Sequence, residues 1–390
     1  MLTKDNKILI SIIIPSLNRY QFLKEAISSV LCQITSHPVE LIVVDNCSDD
    51  ETENYMSSLA HPQLQYCRNT VRLNICDNWQ KGLSLSKGQY FLVLGDDDAL
   101  FPNWVNEVIR LISIYEEISF LSWNHIAFTK KNPVLGWNNL VVYPKSIDGD
   151  VIEISPSLVR KHYLGQGGSL KFQPHPSLFL FNRRMVDNVV EKYGIEWFGG
   201  EVFPDYHAAV LLGNIETNGL YINKPLVCIG GVEEKFYCKK LSKMDGFLIT
   251  NSKVARDLNV SPYMVVNIAK QLKATTQLID INFCEHQYVE KMMNSLLENI
   301  VFCESQCGKG SHINDKAILE KKYGKKVVNR AFCKALYIKF RNFLNRSFIS
   351  VFGQEIAIKY RNIVSKSDLV YDCFPDAKNI NAVISGYLTR

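Results

Sequence analysis

The chain has 390 residues, a net charge of +5 and 47% apolar residues, enough for a large core plus an appendage; this excludes a disordered or low-complexity protein. Eleven cysteines are scattered without a C-x-x-C pair, and Cys303 and Cys307 lack nearby partners, so neither a disulfide scaffold nor a zinc module is expected. Charge is uneven: between Lys309 and Lys366 fourteen Lys/Arg stand against Asp315, Glu320 and Glu355, a local balance of +11.

The first apolar run, Ile8 to Ile14, follows Lys4 and Lys7 but is too short to span a membrane and stops at Pro15 without a small-residue cleavage site. No other stretch reaches spanning length, so a cytosolic protein with reduced thiols is expected. The run itself is β-branched and continuous and predicts a buried strand. Pro15-Ser16-Leu17-Asn18 breaks it. Phe22, Leu23, Ala26, Ile27, Val30 and Leu31 then recur at helical spacing.

Leu41–Val44 predicts a second strand, ending at Asp45-Asn46, and Ser48-Asp49-Asp50 offers caps for another helix. Leu64–Cys67 suits a short strand and Asn78–Leu85 a helix. Tyr90–Leu94 is a strand buried on both faces that ends in Gly95-Asp96-Asp97-Asp98. Three adjacent carboxylates repel one another and call for positive compensation, for which a hard divalent cation is the simplest candidate. The alternative is a solvated acidic loop.

Strand–helix alternation over the first hundred residues predicts an α/β fold with a mainly parallel sheet and flanking helices. Three polar strand ends then meet on one rim: Asn18 with Arg19, Asp45 with Asn46, and Asp96 to Asp98. A helix after Pro102, strands at Phe120–Phe128, Leu140–Tyr143, Ser177–Phe181 and Pro225–Gly230, and a helix from Ala208 to Leu212 follow. Gly165–Gly168 reads as a loop. Near residue 240 the texture changes to a mostly helical extension (241–390), with amphipathic helices at Val254–Ala274 and Tyr288–Cys303, a linker at Gly308–Ser311 and a basic, aromatic helical segment within 309–366.

The stretch Ser11 to Arg19 resembles the opening motif of the family 2 glycosyltransferases, which have the Rossmann-like GT-A fold. Leu41 to Asp45 with Asn46 to Thr52, Asn74 to Trp79 with Lys87 to Asp98, and Phe203-Pro204-Asp205-Tyr206 are similar to that family's later motifs, in order and over roughly residues 8–235. Cys47, Glu51 and Asn74 stand where the family often has glycine. The resemblance implies an inverting transferase that moves a sugar from a nucleotide-diphosphate donor, a UDP-sugar foremost, to a hydroxyl of a glycan or lipid-linked acceptor in bacterial surface polysaccharide synthesis.

It also implies site roles. Asp205 is the catalytic base, though without the other motifs it reads better as a cap of the helix that follows. Pro15, Ser16, Asn18, Arg19, Asp45 and Asn78 line the donor site, with Asp45 reading the base edge. Asp98 holds Mn²⁺ or Mg²⁺, with Asp96 or Asp97 as its D-x-D partner and His207 as a further ligand, or else a core histidine. His175 and Trp197 shape the acceptor pocket, unless they are core residues. The basic tail is expected to lie on an anionic membrane surface or to pack on the catalytic domain. No nucleic-acid module accompanies its charge. A catalytically inactive scaffold on the same fold is the competing reading.

Overall fold

The computed structural model describes residues 8–34, 37–115, 118–132, 137–144, 149–166, 175–200, 203–231, 264–293, 320–321, 323–364, 369–374 and 377–389. Its organising layer is a mixed sheet of eleven described strands. Strands β1 (Ile10–Ser16), β2 (Val39–Asp45), β3 (Leu64–Arg68) and β4 (Tyr90–Val93) form a parallel wing in the order β4-β1-β2-β3. Ile10, Ile12, Ile13 and Ile14 are wholly buried, as a strand covered on both faces requires. The crossovers are α1 (Tyr20–Ile34), α2 (Thr52–Ser58) and α3 (Ile75–Leu85). Helix α3 lies so close to the sheet that a Cβ at Gly82 would stand 2.4 Å from Ile13 Cγ2.

Register fixes the rim. Ser16 is paired with Asp45 and Ile13 with Val93, so the carboxyl ends of β1, β2 and β4 open side by side. That is where an open α/β sheet presents its ligand site.

Beyond β4 the sheet becomes mixed. After β5 (Ala99–Leu100) and α4 (Trp104–Ile114), β6 (Phe120–Asn132) runs antiparallel to β7 (Trp137–Pro144) and to β9 (Phe179–Asn182), and β9 joins β4. β8 (Val151–Ile154), α5 (Pro156–Tyr163), α6 (Arg183–Tyr193) and α7 (Pro204–Leu212) complete this half. Strand β10 (Gly219–Gly231) is far longer than the expected Pro225–Gly230 and pairs with β5, β6 and β8. Its ladder with β6 slips on either side of Pro225, a residue with no N–H to donate. Ser177 is not in a strand: Pro176–Leu178 is a 3₁₀ turn leading into β9.

The later segments return to this body. Helix α8 (Met264–Leu278) covers α7 and α9 (Glu285–Lys291) packs on α8, while α10 (Lys325–Phe352) and α11 (Gln354–Val364) form the basic, aromatic stretch. Strand β11 (Leu369–Cys373) pairs with β7, and α12 (Ile380–Leu388) packs on α1 and β10; neither element was expected from the sequence. The expected helices at 254–274 and 288–303 are described only over 264–274 and 288–293, and the linker at Gly308–Ser311 lies outside the described residues.

Candidate functional site

The parallel wing ends in a charged knot. Asp96 Oδ2 accepts a 2.8 Å hydrogen bond from Ser16 Oγ. Arg19 Nη1 lies 2.9 Å from Asp96 Oδ1 and Nη2 lies 2.8 Å from Asp97 Oδ2, so one guanidinium spans two consecutive carboxylates. Its plane rests over the Phe22 ring at 5.2 Å. Burial opposes the Arg19 charge, but the three aspartates outweigh it and hold its pKa above the ordinary value. Burial, with Asp97 and Asp98 close by, pushes Asp96 up despite the arginine. The acidic turn is therefore compensated, but by Arg19 rather than by a cation alone.

Asp98, expected to be the main metal contact, is placed differently. It has no exposed surface. Oδ1 accepts from the Gly230 N–H at 3.0 Å, Oδ2 accepts from Ser177 Oγ, and His175 Nδ1 stands 3.6 Å away. Burial raises its pKa against the pull of His175. Asp96 and Asp97, not Asp98, line the cleft. Glycine makes the contact to β10 possible: a Cβ at Gly230 would stand 1.9 Å from the Asp97 carbonyl oxygen.

The cleft itself, about 220 Å³, is lined by Pro15, Ser16, Leu17 and Arg19 on one side and by Asn46, Asn78 and Trp79 on another. A chain of amides holds that second wall. Asn69 Nδ2 donates to Asn46 Oδ1 (2.9 Å) and to Asn78 Oδ1 (2.8 Å), while Lys81 Nζ donates to Asn69 Oδ1 (2.7 Å). Asn69 and Lys81 were not expected. Asn69 follows the end of β3 as Asn46 follows that of β2, a signal that could have found it; no such signal marks Lys81.

Two expected donor residues face elsewhere. Asp45 is wholly buried; its oxygens accept from Ser48 N (2.9 Å), Tyr66 Oη (2.7 Å) and Arg68 Nη1 (2.7 Å). That carboxylate ties β2 to the loop after it and to β3. Asn18, at φ 55°, spends its side chain on the same loop by accepting from Asp49 N at 2.6 Å. Cys47 also holds a left-handed φ of 60°, which explains a glycine preference at that position. Asn74 needs no glycine: at φ −68° and ψ 168° it caps α3, accepting from Asp77 N at 2.8 Å.

Asp205 lies in the first turn of α7, where Phe203 is the cap residue, so it is not the N-cap. It lines a hollow of about 10 Å³, the room of roughly one water, with Trp79, Tyr163, His175, Pro176 and Phe198 among its walls. Burial there raises its pKa to about 6, although backbone N–H groups and His175 pull it down. Trp79, His175 and Pro176 line both this hollow and the cleft, so the acidic turn and Asp205 share a wall.

His207 is not a metal ligand in this arrangement. It is 1% exposed, with Nδ1 at 2.8 Å from Thr275 Oγ1 and Nε2 at 3.1 Å from the Glu196 carbonyl, and burial drops its pKa to about 4. Trp197 is likewise core, wholly buried against Phe181; Trp79 supplies the aromatic wall instead.

A divalent cation suits the donors present. Asp96 and Asp97 offer hard carboxylate oxygens to the cleft. Among the described residues no three His, Cys, Asp or Glu form a ready cage.

The sequence model of glycosyl transferase family 2 matches residues 11–153. The chain is 35% identical over 240 residues to the abequosyltransferase RfbV of Salmonella typhimurium, covering 58% of this chain and 68% of that protein. It is 36% identical over 100 residues to WcaA of Escherichia coli, a protein named for colanic acid biosynthesis, covering 25% of this chain and 36% of the relative. The chain thus spans between about a third and two fifths of several curated relatives it matches. Among solved structures, S. aureus TarS 1-349 with UDP-GlcNAc aligns at TM-score 0.49 and 13% identity, covering 92% of this chain and 93% of that one. The mannosyltransferase PcManGT of Pyrobaculum calidifontis with GDP-Man and Mn²⁺ aligns at 0.46 and 14%, covering 90% and 88%. On the match to RfbV and the family model, the chain belongs to glycosyl transferase family 2.

Proposed function

We propose that the protein is an inverting glycosyltransferase, hexosyltransferase in type, that moves a sugar from a nucleotide-diphosphate donor, a UDP-sugar foremost, to a hydroxyl of a glycan or lipid-linked glycan. The process would be bacterial surface polysaccharide synthesis of the O-antigen or capsule kind, carried out in the cytoplasm or at the inner face of the membrane. One observation carries this reading: the cleft that holds Arg19, Asp96 and Asp97 shares Trp79, His175 and Pro176 with the hollow of Asp205.

The nucleotide lies along Pro15, Ser16 and Leu17, against the amide wall of Asn46 and Asn78. The diphosphate runs toward Arg19, whose guanidinium is fixed at the acidic turn. Asp96 and Asp97 would hold Mn²⁺ or Mg²⁺, which when bound offsets the charge of the leaving diphosphate. Asp205 takes the proton of the acceptor hydroxyl as its oxygen bonds to the anomeric carbon and the bond to the diphosphate breaks. A pKa of about 6 leaves Asp205 ionised at neutral pH, yet basic enough to accept that proton. Its hollow is too small for a sugar ring, so the acceptor lies on the cleft side and offers only its hydroxyl to Asp205.

The test is a panel of nucleotide sugars with Mn²⁺, read by mass spectrometry of released nucleotide and by calorimetry. One donor should bind and turn over, and Asp97→Asn should weaken its metal-dependent binding at least tenfold. Binding of no donor would assign the chain to the catalytically inactive scaffold reading instead.

A further inference from the structure

Helix α10 runs 28 residues without an acidic side chain. Its inner seam is spent: Val328, Ala331 and Ala335 are buried in the main core, while Phe348 and Ile349 pack beside Leu140, Ala357 and Ile358. The sequence carries a second apolar face on the opposite side. Leu336, Tyr337, Phe340, Phe343, Leu344 and Val351 are between 44% and 72% exposed. Positions 336, 340, 343, 344 and 351 fall on one side of a helix. Exposed Lys334 and Arg341 sit among these side chains, and Lys325, Lys326 and Arg330 are exposed toward the start. The next helix adds Ile356, Tyr360 and Ile363 at i, i+4 and i+7, all more than half exposed. Single exposed apolar residues need no explanation, but a continuous stripe of rings and leucines does.

We propose that this outer face of α10 docks the protein on an anionic bilayer surface. The rings and leucines enter the headgroup region, and the lysines and arginines meet lipid phosphates while their stems cover apolar surface. Charge selects this occupant. A second copy laid on the same face would set basic residues against basic residues. An anionic lipid layer accepts both the charge and the apolar side chains. Among the described residues no helix is long and apolar enough to cross a membrane, so the contact is interfacial. The inference rests on the transferase reading only in supplying a reason for it: a lipid-linked acceptor would be held at the same surface.

The experiment sediments the full chain with vesicles of phosphatidylcholine alone and of phosphatidylcholine mixed with phosphatidylglycerol. The protein should follow the mixed vesicles only, and less so as salt rises. The double change Phe340→Ser with Phe343→Ser should cut partitioning by tenfold or more, and Lys334→Gln or Arg341→Gln by about fivefold each. The thermal midpoint and donor binding by calorimetry should be unchanged, since these side chains lie outside the core and the cleft. Donor binding is read separately, so loss of membrane contact and failure of the transferase reading are distinguishable. No cosedimentation, or equal partitioning to neutral vesicles, overturns the proposal. So does a dimer in solution that the Phe340 and Phe343 changes dissolve, which would give the face to a second copy.

Discussion

Asp205→Asn separates a working carboxylate from a structural one, because the two readings predict opposite changes in stability. Its pKa rises from 3.8 to about 6 in the fold, chiefly through burial. Between those values the native state binds more protons than the unfolded chain, so stability falls as pH rises. The penalty is absent below the lower value and complete above the higher one. That rise amounts to about 2–3 kcal/mol, with the pull of the backbone N–H groups in the first turn of α7 already included. Asparagine removes the net penalty, so the variant should be about 2 kcal/mol more stable than the parent at pH 7.5, with the difference vanishing toward pH 4. Urea unfolding of both proteins across that range measures it. The same variant should lose about 10²–10⁴-fold in turnover with donor affinity kept. In the parent, kcat/KM should climb through pH 6. A variant that is less stable at pH 7.5, or that turns over normally, refutes the assignment of Asp205 as a buried base.

Arg19→Ala leaves Asp96 and Asp97 facing each other without their cation; it should cost about 3–5 kcal/mol at neutral pH, partly recovered as pH falls and the carboxylates protonate, as urea midpoints would show. Arg19→Lys should recover less than half of this, because an ammonium cannot span both carboxylates. Cys47→Gly should stabilise by about 0.5–1 kcal/mol, since glycine adopts φ 60° without the side-chain clash; a lower melting temperature would contradict it. Gly230→Ala should shift the acidic turn through the Asp97 carbonyl and weaken donor binding tenfold or more by calorimetry, while distant residues keep their amide exchange protection.

What the sequence shows of this molecule depends on how local the cause is. The parallel wing is legible because each strand is a continuous apolar run whose polar end must meet water, and parallel register aligns those ends. Strand β11 and helix α12 are illegible for the opposite reason. They are short, apolar without a clear period, and what holds them is a partner more than two hundred residues away in the chain, β7 or α1. The acidic turn calls for positive charge, and Arg19, 78 residues from Asp97, supplies part of it through a pairing that composition cannot reveal.

The histidines show the geometric limit most plainly. His207 is expected to be a metal ligand or a core histidine, and a helix expected only from Ala208 leaves it in one loop with Asp205. With α7 beginning at Pro204, both residues are helical, and side chains at i and i+2 diverge by about 200°. One can face the hollow only if the other faces the core. Asp205 faces the hollow and His207 reaches Thr275 on α8. His175 then becomes the histidine of the site because the turn before β9 sets it between Asp98 and the hollow, although thirty residues of chain separate it from Asp205. His175 thus lies beside the site, as expected of it, and His207 takes the core place that its sequence reading also allowed.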